Sequence, residues 1–388
     1  MNPNQATAKR SNLSAGDSYI YVTYEFHNQI GYVAVIDPLE DQIIKRIPVG
    51  ANPGPMCMDI GEHTLYVLNT GSASVTVIDM NTFKVITTVN VGNAGSTESD
   101  PVAIFASPYG NRVYVANYGD KNVTIIDANT YEVIKHVDMG PGRAGKPFAF
   151  ASNANSDYVY VACKLADKKD YVVAISILDD TVHPYGDGIE LTFDSEHNPL
   201  VVHPDGHTQV TLGPTGMLNY FGKDVIGSPN TTSLLDNTIS GVYLNNKLLF
   251  CTSHERKGYL KRFNNLAINP EGDITYTSFA DVPSYKGQDK IRVSETQGFI
   301  GVTIQPTTYP TGGLQIYNVR GASSSFVALP YVGDLAFFSD TKAYVGEPIS
   351  IRPIDIATAS ALPAIPIGSY TDRIFVKNII SGYSNQSL

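Results

Sequence analysis

The chain has 388 residues and a formal net charge of −10; 43% of its residues are apolar and only 16% are charged. That balance supports a buried core and speaks against disorder, and the length suits two or three ordinary domains or one large repeat array. Without a basic run, nucleic acid and anionic membrane are poor partners, and no apolar run approaches the length of a membrane-spanning helix.

The composition favours strands. Tyr is frequent, at 24 residues, beside many Thr, Val and Ile, and 33 Gly and 23 Pro supply turns. The three cysteines, Cys57, Cys163 and Cys251, are widely spaced in apolar stretches. They form no disulfide framework and no zinc spacing, and are expected to be small buried hydrophobes.

In chain order, residues 1–17 form a polar lead with no hydrophobic stretch of the secretory type. The first strand is "YIYVTY", around Tyr21. Two near-copies follow: "EHTLYVLNTGSASVTVIDMNTFKVI" (Glu62 to Ile86) and "GNRVYVANYGDKNVTIIDANTYEVI" (Gly110 to Ile134). Near-copies this close point to one structural unit used repeatedly. In each, "RVYVAN"-type residues alternate as a strand, "NVTIID" follows a short turn, and a "VIKHV" segment comes next. A fourth segment, "FAFAS", leads into "YVYVAC". Four short strands joined by turns are the signature of a propeller blade. Counted outward from the axis, "FAFAS" is strand A, "YVYVA" B, "TIID" C and "VIKHV" D.

The B strands can be followed along the chain at Tyr21, Tyr66, Tyr114, Tyr160, Val210, Leu249, Ile300 and Tyr344. They recur every roughly 40–50 residues, as four-stranded blades require. The expected fold is therefore all-β: a single closed β-propeller over residues 18–378 with eight four-stranded blades. Seven is the alternative if Lys164 to Phe279 holds one swollen blade fewer. The chain starts at a B strand and ends with an orphan strand, "RIFVKN" (Arg373 to Asn378), which would close the ring as strand A of the first blade and hide sheet edges. Residues 379–388 are left as a tail. Asp37, Asp79 and Asp127 recur at the end of strand C, where an Asp can accept backbone N–H bonds and shape the C–D turn. A ring of metal-binding carboxylates is the weaker alternative, because equivalent positions on different blades lie far apart.

The phrases "YVTY", "YVLN", "YVAN" and "YVAC", each followed by a "V-x-V-I-D" variant and a "V-I-x-x-V-x-V-G" strand, resemble the YVTN-type β-propeller repeat. This repeat is frequent in prokaryotic surface-layer and secreted proteins. Lactonase-type propellers and propeller domains of some respiratory reductases are related. The resemblance is strong over residues 19–164, fair over 331–368 and weak between them. It implies the fold and is almost silent on function. It also implies a cell-surface or extracellular location, with the cytoplasm as the alternative since this chain shows no leader. A WD-repeat reading fails, because the chain has no Trp.

A propeller usually binds its ligand at the axial mouth, on the face built by B–C loops and D–A connections. Here the D–A connections carry Glu98, Asp100, Arg143 and Lys146. The B–C loops add Tyr24, Glu25 and His27, then His254, Glu255 and Arg256, then Tyr309. Charges and aromatics on one face suit a polar ligand or a partner protein; the plainer reading is a set of solvated loops. His197, His203 and His207 fall close together, but "HPDGH" occupies the place of "SPYGN", a tight A–B turn, and no metal site is expected. There is no G-x-S-x-G, P-loop, Rossmann fingerprint, C-x-x-C-H or D-x-D-x-D-G loop, so no cofactor is expected. "GPGRAG" lacks the Lys-Ser/Thr of a phosphate loop. Two functions remain. One is a non-catalytic scaffold binding a protein, a glycan or its own copies. The other is a lactonase-like hydrolase or lyase at the axial mouth. The enzyme would gather a His or carboxylate with an Arg there, shielded from water; the scaffold would line the mouth with small residues.

Overall fold

The computed structural model describes residues 18–26, 30–59, 61, 63–92, 99–109, 111–139, 145–153, 155–165, 170–185, 197–202, 209–211, 218–221, 230–232, 238–244, 248–253, 259–264, 267–268, 274–276, 278–294, 296–306, 312–368 and 375–381. Among them every regular element is a strand, and every pairing is antiparallel.

The strands form one sheet after another along the chain. The first sheet holds β1 (Ile20–Glu25), β2 (Gly31–Asp37) and β3 (Gln42–Val49). The second holds β4 (Pro53–Met58), β5 (Thr64–Asn69), β6 (Ser74–Asp79) and β7 (Lys84–Asn90). The third holds β8 (Pro101–Ala106), β9 (Arg112–Asn117), β10 (Asn122–Asp127) and β11 (Val133–Asp138). The fourth holds β12 (Lys146–Ala151), β13 (Tyr158–Lys164), β14 (Tyr171–Ser176) and β15 (Val182–Tyr185). The fifth is made of short strands, β16 (Leu200–Val202), β17 (Gln209–Thr211), β18 (Leu218–Phe221) and β19 (Asn230–Thr232). The sixth holds β20 (Thr238–Leu244), β21 (Leu248–Ser253) and β22 (Tyr259–Asn264). A separate hairpin of β23 (Ala267–Ile268) and β24 (Ile274–Thr275) intervenes before its last strand, β25 (Ser278–Pro283). The seventh holds β26 (Gln288–Val293), β27 (Phe299–Ile304), β28 (Gly313–Asn318) and β29 (Ser323–Ala328). The eighth holds β30 (Leu335–Phe337), β31 (Lys342–Gly346), β32 (Ser350–Asp355) and β33 (Ser360–Ala361), with β34 (Ile365–Pro366) also on β32. The last strand, β35 (Phe375–Ser381), returns to pair with β1. Each anchor read from the sequence, from Tyr21 to Tyr344, falls on the second strand of its sheet.

Leading strands of successive sheets are neighbours: β4 with β8, β8 with β12, β12 with β16, β16 with β20, β20 with β26 and β26 with β30, while β35 touches both β30 and β4. The sheets therefore pack face against face. Tyr21, Val33 and Val35 meet Met56, Leu65 and Val67. Tyr66, Val75 and Val77 meet Ile104, Val113 and Val115. Ala336, Tyr344 and Ile351 of the eighth sheet meet Ile20, Val22 and Ile36 of the first.

Packing on both faces alters the strand pattern. "RVYVAN" reads as alternating, yet Val113 to Asn117 are all buried, and so is the whole of "TLYVLN" in β5. A strand covered on both sides reads as a near-continuous apolar run. The outermost strands β3, β7 and β11 are largely exposed.

The recurring polar residues build the frame. Oδ1 of Asp37 accepts the N–H of Leu39 (2.8 Å). Asp79 does so for Asn81 and Thr82 (2.8 and 2.9 Å), and Asp127 for Asn129 and Thr130 (2.8 and 3.1 Å). These bonds hold the carboxyls of Asp79 and Asp127 below the usual carboxylate range, against a smaller opposing effect of burial. Four residues after each Asp the backbone is left-handed, at Asp41 (φ 54°), Phe83 (53°) and Tyr131 (60°), and the next strand is bulged in register. Asn117, fully buried, donates from Nδ2 to Asn122 Oδ1 (2.8 Å), Thr124 Oγ1 (2.7 Å) and, across the sheets, Val91 O (3.0 Å). Asn69 repeats the pattern with Ser74 and Thr76. Gly50 is required beside it: a Cβ there would stand 2.7 Å from the Asn69 side chain.

Side-chain staples also join neighbouring sheets. The Tyr66 hydroxyl reaches Ala128 O (3.5 Å), just after Asp127 of the next sheet. Arg112, at the head of β9, faces Asp180 of the fourth sheet (3.5 Å). The same two positions recur between the eighth sheet and the first. Tyr344 donates to Asp41 Oδ1 (2.6 Å) and Pro38 O (3.3 Å), and Lys342 Nζ donates to Asp41 Oδ2 (2.7 Å). Burial, with the Asp41 carboxylate beside it, pushes the Tyr344 hydroxyl far up, so it stays a donor. Cys57 and Cys163 are buried, and burial raises both thiols; the Cys251 side chain lies outside the described residues.

Candidate functional site

The sequence-chosen residues on the described backbone sit at the ends of strands and do structural work. Tyr24 is fully buried between the eighth sheet and the first. Its hydroxyl accepts from Arg46 Nη1 (2.8 Å), and its ring stacks on Tyr32. Glu25, the last residue of β1, accepts the Asn52 N–H (2.9 Å) and pins the connection into the second sheet. Asp100, left-handed at φ 41°, accepts the Tyr118 N–H through its carbonyl (3.0 Å). Lys146 lays its ammonium 4.6 Å from the centre of the Tyr118 ring. Tyr118 is thus met by the backbone of Asp100 and the side chain of Lys146. His27, Glu98, Arg143, His254, Glu255, Arg256 and Tyr309 lie outside the described residues, as do His203 and His207.

A denser polar group lies elsewhere. His197 precedes β16, the leading strand of the fifth sheet, and Asp289 is the second residue of β26, the leading strand of the seventh. His197 Nε2 and Asp289 Oδ1 are 2.7 Å apart, so this bond passes along the inner rim beyond the sixth sheet. Both side chains are shielded, at 7% and 19% exposure. Gln305 Nε2 donates to the other carboxylate oxygen, Asp289 Oδ2 (2.8 Å), and to Val332 O (2.7 Å). Lys290 Nζ stands 3.5 Å from Asp289. Burial alone would raise the Asp289 carboxyl. The bonds from His197 and Gln305 and the charge of Lys290 outweigh it and hold the group well below the usual range. Three residues on, Arg292 Nη2 donates to Asp334 Oδ1 (2.9 Å) at the start of the eighth sheet.

Local sequence explains why charge gathers there. Leading strands of the early sheets open on "PGPM" and "PVAI", small and apolar next to the axis, and each is bulged at that end. The strand β26 is bulged too, between Gln288 and Ile291, but reads "QDKIRV". A bulge re-aims the residues it contains; here those are Asp289 and Lys290. Sequence reasoning weighed His197 only as a metal ligand and missed Asp289, Lys290, Arg292 and Gln305. The available signal was the break from the repeat: three charged residues, Asp289, Lys290 and Arg292, in one innermost strand. Among the described residues no group of three or more His, Cys, Asp or Glu is placed to hold a metal ion.

Chemically, the rim offers an imidazole bonded to an ionised carboxylate, an amide and a cation in a largely water-shielded place. A carboxylate that orients an imidazole is the arrangement used for general-base work.

A family model described as Lactonase, 7-bladed beta-propeller matches residues 14–180. No curated protein matches the chain by sequence. Among solved structures, the chain is similar to the dihydro-heme d1 dehydrogenase NirN in complex with DHE, with a TM-score of 0.71 and 14% identity over 95% of this chain and 75% of that one. It is similar to the beta-propeller domain of Cps50 (Swd1) from Myceliophteria thermophila (TM-score 0.55, 11% identity, 80% and 95% covered). A putative 6-phosphogluconolactonase from Bacteroides uniformis is also similar (TM-score 0.51, 11% identity, 80% and 95% covered). At these identities the likeness concerns the fold alone. Four-stranded antiparallel sheets packed face to face, a matching lactonase-type propeller model and propeller neighbours agree: the chain folds as a β-propeller.

Proposed function

We propose that this chain is an eight-bladed propeller closed by β35, and that it works at the inner rim, taking a small polar ligand and hydrolysing a lactone-type ester. Closure is supported by the β35–β1 pairing and by the Tyr344 and Lys342 staple, which repeats the contacts of Tyr66 and Arg112. The matched family is described as seven-bladed, but the match ends at residue 180, inside the fourth sheet.

The observation that carries the enzymatic reading is the shielded His197–Asp289 pair (2.7 Å) bridging two leading strands. In the reaction, the oxygen of a water bonds to the acyl carbon and the ring C–O bond breaks. The imidazole takes the water's proton, and the departing alkoxide receives it, opening the lactone to a hydroxy acid. The lactonase-type family match over residues 14–180 supports the class of reaction; His197 and Asp289 lie beyond the matched segment.

The test is proton release from a panel of γ- and δ-lactones, with His197→Gln and Asp289→Asn as controls. Wild type should turn over at least one lactone, and each variant should lose about a hundredfold or more. No turnover across the panel, or unchanged turnover in both variants, would overturn the reading.

The second reading, a non-catalytic scaffold for a protein or glycan partner, is favoured by one observation. The most regular part of the chain uses its repeated Asp and Asn residues for turns and sheet contacts. A cell-surface location is proposed with either reading, on the resemblance of that part to repeats of surface proteins.

A further inference from the structure

The packing between the sixth and seventh sheets departs from that of the regular sheets. Arg262 of β22 pairs with Phe250 of β21. Val35, Val77 and Ile125 hold the same place, opposite Tyr21, Tyr66 and Tyr114, and all three are fully buried against the next sheet. A guanidinium therefore stands where the regular sheets put a β-branched core residue.

Arg262 is half-buried and reaches the seventh sheet, where its Nη1 donates to the Tyr317 hydroxyl (3.3 Å). Its Nε is buried without a hydrogen-bond partner, and no carboxylate pairs with the group among the described residues. A guanidinium does not give up its proton, and a charge withdrawn from water is costly unless it is paired. Arg352 of the eighth sheet shows how this chain satisfies such a group. Its Nε and Nη2 grip the two oxygens of Glu347 (3.0 and 3.1 Å), and its Nη1 donates to Leu362 O (3.1 Å). Arg262 makes the Nη1 contact, with the Tyr317 hydroxyl in place of the carbonyl, and lacks the carboxylate.

The surroundings supply no acid. Tyr317 and Gln315 lie two residues apart on β28 and so on one face of it. Ser284 Oγ donates to Gln315 Oε1. The Tyr285 ring packs with its centre 4.1 Å from that of Phe326, the β29 partner of Gln315. The wall on this side is thus hydroxyl, amide and aromatic ring. Residues 282–287 and 312–328 contain Lys286 and Arg320 but neither Asp nor Glu. Asp281 of β25 pairs with Lys261, one position from Arg262 and so on the opposite face of the sheet.

We propose that the Nε–Nη2 edge of Arg262 binds the carboxylate of a small organic acid between the sixth and seventh sheets. Two parallel N–H donors on one planar edge match the two oxygens of a carboxylate, as they do at Glu347. The ligand supplies the acid that the fold withholds. This site stands apart from the proposed reaction, whose His197 and Asp289 belong to leading strands, and does not depend on it.

The experiment is calorimetric titration of the full chain with acetate, benzoate, succinate and citrate, and with inorganic phosphate, at constant ionic strength. At least one carboxylate should bind, and more tightly than phosphate. Arg262→Met keeps a long apolar side chain without charge or donors and should weaken that binding about tenfold or more. Arg262→Lys keeps the charge without the planar edge and should weaken it about three- to tenfold. The ligand-free Arg262→Met chain should melt no lower than wild type, because it sheds a withdrawn charge that has no acid beside it. Four results would each overturn the proposal: no carboxylate binding, phosphate binding as tight as any carboxylate, unchanged affinity in both variants, or failure of Arg262→Met to fold, which would show the guanidinium already satisfied within the fold.

Discussion

Residues 20–176 and residues 238–368 share one strand order and use their polar residues differently. In the first region, Asp79, Asp127, Asn69 and Asn117 turn inward to the backbone and to neighbouring sheets, and the heads of β4 and β8 are small and apolar. In the second, charged groups move to the head of a leading strand, and Asp289, Arg292 and Gln305 bond across from one sheet to another or to a connection. The difference teaches that regular repeats mark where the frame is made, and departures from them mark where a site can be.

The largest expected effect tests whether the two ends of the array are one frame. A chain ending at residue 372 lacks β35 and leaves β1 paired only with β2. Its unfolding midpoint, followed by circular dichroism, should fall by more than for any single substitution below; an unchanged midpoint would sink the closure by β35.

Next comes the staple between the eighth sheet and the first, set against its counterpart in the regular region. Asp41→Ala strips acceptors from both Lys342 and Tyr344 and should cost about 3 kcal/mol in urea unfolding. Asp180→Ala should cost about 1 kcal/mol, because Arg112 keeps Asp127 at 3.5 Å. Equal losses would mean that the end-to-end contact is no tighter than an internal one.

The third prediction concerns pH. Asp289 has a folded carboxyl held below its unfolded value, so its charge contributes stability that is present above about pH 4 and fades as pH falls toward the folded value. The stability gap between wild type and Asp289→Asn should close as pH falls below about 4. A gap that ignores pH would show that the charge of Asp289 does not hold the rim together.

The smallest effect belongs to the regular region. Asp127→Ala removes two turn bonds and should cost about 1 kcal/mol. Lactone turnover should not change. Lost ligand binding in that variant would overturn the division between frame and site.

Much of the frame was legible. Tyr66, Tyr114 and Tyr344 announce second strands because a strand buried on both faces must be apolar along its length, and the "VID" aspartates announce hairpins because their carboxylates bond to backbone two and three residues on. The candidate site was legible only in part. Tyr24 and Glu25 look like loop residues in sequence, yet one is core and the other an acceptor for Asn52. Asp289 and His197 are ninety-two positions apart. No local period connects them.

The sequence by itself determined the strands, the order in which they are added, and the turn chemistry between them, because period, Asp capping and buried Tyr act over a few residues. The tertiary structure alone decided which bulge re-aims its charges and which distant side chains meet. That is so because packing sheets face to face fixes those positions in space, where residues far apart in the chain first become neighbours.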